Sequence, residues 1–313
     1  IRAVIAWLVA AGVALLPVAL GDRAARRLAG AAWAHHHPRS ALALWQASGL
    51  GAGLGAVGLG LVAAVAPLAA LFPHGVHTLA RQIADGRGLD GLGPAQLLAL
   101  AWSGSLLSWL LIHTIRVTAK TIKERRRQRL LVDVVADHSP AHDVYVLPVG
   151  ERVAYCVPGR RRRIVLSRGT MDVLSAQELQ AVLEHERAHA RGHHDLALLA
   201  FVALEHAFPW VDSARTARQA VAVLLEMLAD DHASRAQGEL PLARALVRMA
   251  AGEPSPGLGS FALADAGVVE RLQRLLGERR QSRWVPAAAY STAGLLLSGP
   301  MAVLIAPLVC ITL

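Results

Sequence analysis

The sequence predicts a mainly α-helical, polytopic membrane protein with four transmembrane helices and an α+β domain inserted between the third and the fourth. Three observations carry this. Of 313 residues, 54% are hydrophobic but only 4% aromatic, far more aliphatic content than a water-soluble domain of that length needs. Four apolar runs, near 2–20, 43–72, 94–115 and 287–312, are each long enough to cross a hydrocarbon core about 30 Å thick, which takes about 20 helical residues. Between the third and fourth runs the polarity turns mixed and the long apolar runs give way to short β-rich and amphipathic stretches. The expected organisation is three spans with their loops over 1–115, a cytoplasmic domain over 116–286, and a fourth span over 287–313.

The first run has only Arg2 before it and no small-x-small cleavage site before Asp22, so a retained helix is expected rather than a signal peptide. The second is longer than a span needs and carries Gly49, Gly51, Gly53, Gly55, Gly58 and Gly60, a pattern that predicts tilting or close packing through small residues. Orientation follows from the flanking cations, because Lys and Arg concentrate on the cytoplasmic side. Arg23, Arg26, Arg27 and Arg39 follow the first span, a dense run from Arg116 to Arg129 follows the third, and Arg279, Arg280 and Arg283 precede the fourth. In the second loop Arg81 and Arg87 are balanced by Asp85 and Asp90. Both termini are therefore expected outside a multi-pass cell-membrane protein, with the long segment in the cytoplasm.

The formal charge of +9 is mostly this flanking charge, and it points to anionic lipid headgroups rather than directly to nucleic acid. Cys156 and Cys310 fall on opposite sides of the membrane, so no intramolecular disulfide is expected. His35, His36 and His37 read as a solvated loop.

Within the cytoplasmic segment, the helix of the third span is expected to continue to about Leu131. Short β-rich stretches follow at 143–148, 153–157 and 163–167, the last two joined as a hairpin through Pro158-Gly159 and the arginines at its tip. The strongest helix signal comes next: Ser175 and Glu178 form an S-x-x-E capping box, and Gly192 supplies a stop. The apolar stretch 196–210 is too short to span and predicts a buried or interfacial helix. A further helix is expected over 214–235, a loop over 253–257, and an amphipathic helix over 268–280 leading into the last span.

The capped helix carries His185, Glu186 and His189 as H-E-x-x-H. A helix advances 100° per residue, so the two histidines project from one face, one turn apart, and can ligate a single Zn²⁺. Glu186 stands beside them, placed to take a proton from water attacking a peptide carbonyl. With 14 His and 11 Glu in the chain, independent placement would produce this motif only about 0.02 times. A third ligand is needed to leave one coordination position open, and three candidates compete. Glu226 opens an E-x-x-A-D run on the later helix. Asp195 completes H-E-x-x-H-x-x-G-x-x-D, and His193 and His194 lie in the same turn. The Asp195 route needs Gly192 to break the helix and a separate methionine turn below the metal, whereas Met227 sits inside the later helix itself; Glu226 is favoured. Asp230, four residues beyond Glu226 on the same face, can accept the outer N–H of a ligating histidine or pair with an arginine. Asp231 and His232 face elsewhere, and His206 reads as a packed histidine.

The chain resembles the BlaR/MecR-type antirepressor membrane metallopeptidases, whose core is similar to that of the HtpX and CAAX-prenyl-protease gluzincins. The specific part of the resemblance is Val182-Leu183-Glu184-His185-Glu186-Arg187-Ala188-His189 with Glu226 to Asp230. It implies one zinc per chain held by His185, His189 and Glu226, Glu186 as general base, and a strand near 153–157 or 164–167 whose edge pairs with an extended protein substrate. A cytoplasmic winged-helix repressor is the substrate class the resemblance suggests. Antibiotic-sensing members continue past the fourth span into a penicillin-binding sensor; this sequence stops at Leu313, so β-lactam sensing through a domain of its own is not expected. A homo-oligomer is left open. Two other classes stand beside the protease: a non-catalytic receptor or scaffold that keeps the fold, and a metal transporter, which would need polar ligands inside spans that are nearly bare apart from His113.

Overall fold

The computed structural model describes residues 21–69, 72–140, 142–159, 162–251, 267–277 and 282–309. The first apolar run, the 253–257 loop, Arg279, Arg280 and Cys310 lie outside the described residues. Residues 21–29 are helical, followed by helices α1 (Ala32–His36), α2 (Pro38–Val65), α3 (Phe72–Ala84) and α4 (Pro94–Val135). Four strands come next: β1 (Asp137–Ser139), β2 (Val144–Leu147), β3 (Ala154–Val157) and β4 (Arg163–Ser167). The remaining elements are helices α5 (Arg168–Val173), α6 (Ala176–Gly192), α7 (His194–Ala207), α8 (Asp212–Gln237), α9 (Glu239–Ala250), α10 (Val268–Leu276) and α11 (Trp284–Val309).

Among the described residues, α2 and α4 are long and apolar enough to cross a membrane. Helix α2 starts earlier than its apolar run, with Pro38 in the first turn where no N–H is needed. It ends at Val65 rather than near residue 72, because Pro67 cannot donate to the continuing ladder. Its glycines serve close packing. A Cβ on Gly60 would lie 3.0 Å from the Ala99 carbonyl of α4 and 3.0 Å from Ser103 Cβ, and Ser103 Oγ donates to Val57 O at 2.7 Å. On the other side, Ala47 packs with Ala293 and Leu296 of α11, and a Cβ on Gly58 would meet Val303 at 3.3 Å. Partner numbers rise together, so α2 and α11 run parallel and start at one level.

Helix α4 runs unbroken through the basic segment, a few residues past the expected end at Leu131. Its apolar half is turned outward: Leu98, Trp102 and Ile115 are 72%, 61% and 65% exposed. Its last turn packs under the sheet, where Val132 meets Leu147, Val157 and Val165 and Arg163 pairs with Asp133 at 2.9 Å.

The sheet has strand order β1-β2-β4-β3. The expected hairpin forms as β3 antiparallel to β4, with Tyr155 opposite Val165. The β2 strand pairs parallel to β4, Val146 opposite Leu166, and β1 pairs antiparallel to β2. Alternation along β4 explains its two faces: Ile164 and Leu166 join Val144 against Leu179, Val182 and Leu183 of α6, while Val165 faces the end of α4. Strand β3 is at the sheet edge and β4 is interior, so of the two stretches suggested for pairing with a substrate only 153–157 has a free edge.

The Ser175 capping box is formed: Glu178 N donates to Ser175 Oγ and Ser175 N to Glu178 Oε2 at 2.8 Å. Helix α6 ends at Gly192, where the stop is expected, but the left-handed conformation common at such ends is not taken by the glycine. That conformation falls on His193, with φ of 48°, and α7 begins at the next residue. The tight elbow turns α7 along α4, where Trp109 Nε1 donates to Ala207 O at 2.9 Å and Arg125 pairs with Asp195 at 2.7 Å. The stretch 196–210 is thus largely helical, with Phe201 buried beside Trp45, Val221 and Leu225. The histidines at 35–37 do not form a loose loop: His35 and His36 end α1, and the His35 carbonyl accepts from Arg274 of α10 at 2.5 Å.

Candidate metal centre

Helices α6 and α8 lie side by side, and their facing residues bring three ligand-type atoms together. His185 Nε2 is 3.3 Å from Glu226 Oε2, His189 Nε2 is 3.3 Å from Glu226 Oε1, and the two Nε2 atoms are 3.1 Å apart. Bonds of about 2.0–2.1 Å at tetrahedral angles put neighbouring ligand atoms about 3.3–3.4 Å apart. The triangle therefore has the dimensions of one face of a tetrahedral zinc site. Among the described residues this is the group of three whose geometry could hold a metal ion.

The other candidates lie elsewhere. The Asp195 carboxylate is engaged by Arg125. His193 is the exposed left-handed cap. His194 turns to the outer side of the site: its Nδ1 lies 3.1 Å from His189 Nδ1, with the rings edge to face. Burial and the neighbouring His189 lower the His194 pKa to about 4, so it stays neutral and can accept the His189 Nδ1–H. Asp231 pairs with Arg274 at 2.7 Å. His232 Nε2 sits 2.8 Å from Arg191, and His206 Nδ1 lies 2.8 Å from its own helix carbonyl at Val202.

Asp230, with no exposed surface, places Oδ1 3.0 Å from His185 Nδ1, a contact whose angle falls short of a full hydrogen bond. It is held from the other side by Arg271, whose Nε and Nη2 donate to Oδ2 and Oδ1 at 2.7 Å each. A third nitrogen of the same guanidinium is 3.1 Å from Glu226 Oε2. Arg271, 3% exposed, thus grips both acidic residues of the E-x-x-A-D run. Sequence reasoning placed Arg271 in an amphipathic helix and gave it no role; a lone arginine there carries no local sign that it points inward.

The electrostatics follow from this packing. Burial opposes a charged imidazole at His185, but the Asp230 and Glu226 carboxylates on its two nitrogens outweigh it and raise its pKa to about 10. Burial pushes the Glu226 carboxyl up, and the two histidines pull it well below the usual carboxylate range. Asp230 is likewise lowered against its burial, by Arg271 and His185. Two largely buried anions thus hold positive charge between them, and a divalent cation can supply it. Glu186 is buried next to His185, and its charge is felt by both the Cys156 thiol of β3 and Arg271. It lies on the helix that carries both histidines, and α6 packs against β3.

Residues 121–250 match peptidase family M48. This is a family of metallopeptidases, and the matched segment contains His185, Glu186, His189, Glu226 and Asp230 but not Arg271. The M48 match supports a gluzincin-type metallopeptidase; it is coarser than the antirepressor resemblance. No curated protein and no solved structure matches the chain.

Proposed function

We propose that the protein is a membrane-embedded zinc endopeptidase that hydrolyses a protein substrate at the cytoplasmic face of the cell membrane. The observation that carries the reading is the His185–His189–Glu226 triangle, with sides of 3.1, 3.3 and 3.3 Å, inside a segment that matches a peptidase family. These three side chains would hold one zinc ion, which when bound polarises a scissile carbonyl and acidifies water. The chain's own residues do the rest. Glu186 takes the proton of the attacking water and passes it to the leaving amine. Asp230, clamped by Arg271, orients His185 through Nδ1, and His194 does the same for His189. The free edge of β3 offers backbone groups to an extended substrate beside Glu186.

The membrane reading rests on α2 and α4, on the outward apolar side chains of α4, and on α11 running beside α2. With the first apolar run they make four spans, with the 116–286 domain on the side where the basic flanks collect and both termini outside. The substrate class suggested by the antirepressor resemblance is a cytoplasmic winged-helix repressor.

The test is Glu186→Gln in the zinc-loaded protein, with proteins that accumulate in cells compared against wild type. One zinc per chain should remain while cleavage disappears. Hydrolysis that survives the change would refute the assignment; a wild-type chain that binds no zinc would point to the non-catalytic scaffold.

A further inference from the structure

At the level where α2 and α11 begin, a cavity of about 330 Å³ opens among Arg39, Ser40, His37, Arg235, Arg274 and Tyr290. That is at the small end of the range for ligand sites, about 300–1,000 Å³. Its charge is one-sided. Arg274 is fixed by Asp231 at 2.7 and 2.8 Å and by the His35 carbonyl at 2.5 Å. Arg235 donates Nε to the Asp231 carbonyl at 2.7 Å, and neither Arg235 nor Arg39 has an ion-pair partner among the described residues. Both are exposed. The carboxylate lining the cavity is Asp231, already paired; Glu270 reaches His35 from a neighbouring cavity. Burial, then His36 and Arg274, lower the His37 pKa, as a positive surrounding would. Helix α2 also opens here with no side-chain cap, so its first-turn N–H groups add to the same field.

The position of the cavity narrows the ligand class. Helices α2 and α11 start together, Trp284 at the head of α11 is 84% exposed and Tyr290 51% exposed, and such aromatics sit at membrane–water interfaces. Basic pockets between spans on the cytoplasmic side suit lipid headgroups. We propose that this cavity binds the phosphate of an anionic lipid from the cytoplasmic leaflet, chemistry it shares with a free phosphate. The lipid source rests on the membrane reading above; the site does not depend on proteolysis.

The test uses the full chain in neutral detergent, titrated with short-chain phosphatidylglycerol, with phosphatidylcholine as the uncharged control and inorganic phosphate as the soluble arm. Arg39→Gln with Arg235→Gln should weaken phosphatidylglycerol binding by about fivefold per arginine and ~25-fold together. Arg126→Gln with Arg127→Gln, the same charge loss outside the cavity, should leave it nearly unchanged. Equal losses in the two double variants would mean a diffuse basic surface and overturn the site. Inorganic phosphate binding as tightly as the lipid would overturn the lipid source. Flotation with phosphatidylcholine vesicles separates the two readings: a chain that floats but whose cavity variant binds lipid undiminished refutes the cavity alone. A chain that neither floats nor binds phosphatidylglycerol refutes both.

Discussion

Replacing Arg271 by Met tests whether the acidic half of the metal centre depends on a residue 41 positions beyond Asp230 in sequence. The guanidinium makes two 2.7 Å bonds to a fully buried carboxylate and a 3.1 Å contact to Glu226. Removing one partner of a buried ion pair costs about 3–5 kcal/mol, and Asp230 would be left with only the 3.0 Å contact to His185. Glu226 keeps two histidines and some exposure, so most of the cost falls on Asp230. In chelator-treated protein followed by denaturant or thermal unfolding, the variant should lose about 3–5 kcal/mol at neutral pH. The sign of the pH dependence is fixed by the lowered Asp230 pKa. A depressed carboxyl stabilises the fold above its unfolded pKa and loses that contribution as pH falls through the folded value. The gap between wild type and variant should therefore be widest near neutrality and close below about pH 4. Arg271→Met combined with Asp230→Leu should recover part of the loss, since both buried charges are then gone. A loss under about 1 kcal/mol at neutral pH, or a gap that ignores pH, would refute the argument.

Asp230→Asn removes the anion behind His185, and competition with a chromogenic chelator should show zinc affinity roughly 10–100-fold weaker. Ser175→Ala removes half of the capping box of α6 and should cost about 1 kcal/mol in unfolding free energy, with the metal retained. Burial, with Glu186 nearby, pushes the Cys156 thiol up to about 12. At pH 8 its thiolate population, and hence its alkylation rate by iodoacetamide, should be about a thousandfold below that of the same cysteine after denaturation.

What was legible in the sequence was what one helix could encode by itself. His185, Glu186 and His189 lie within five residues, and the capping box that starts their helix lies within four; both patterns survive without tertiary knowledge because helical period alone aligns them. The Glu226 to Asp230 spacing is legible for the same reason. The β1 strand was not, since Asp-His-Ser has no strand preference and pairs only because β2 offers it an edge. Nor was the parallel β2–β4 pairing: alternation says which face a residue takes, not which strand lies beside it. The stop at Gly192 was legible, but the elbow that follows it was not. Glycine is the usual left-handed residue, but His193 takes φ of 48° one position later, in the strained turn between two abutting helices.

Arg271 and Arg274 show the same limit more sharply. They are three apart on α10 and so share a side of that helix, and both read as ordinary cations on an amphipathic surface. In the fold they face inward to consecutive acids, Arg271 to Asp230 and Arg274 to Asp231. One pair braces the ligand triangle and the other lines the basic cavity at the base of α11. Helix α10 is therefore the element that ties the candidate metal centre to the basic cavity where α2 and α11 begin. Because both pairs sit on neighbouring residues of α8, a shift of α10 that loosens Arg274 from Asp231 must also strain the Arg271 clamp on Asp230 and Glu226.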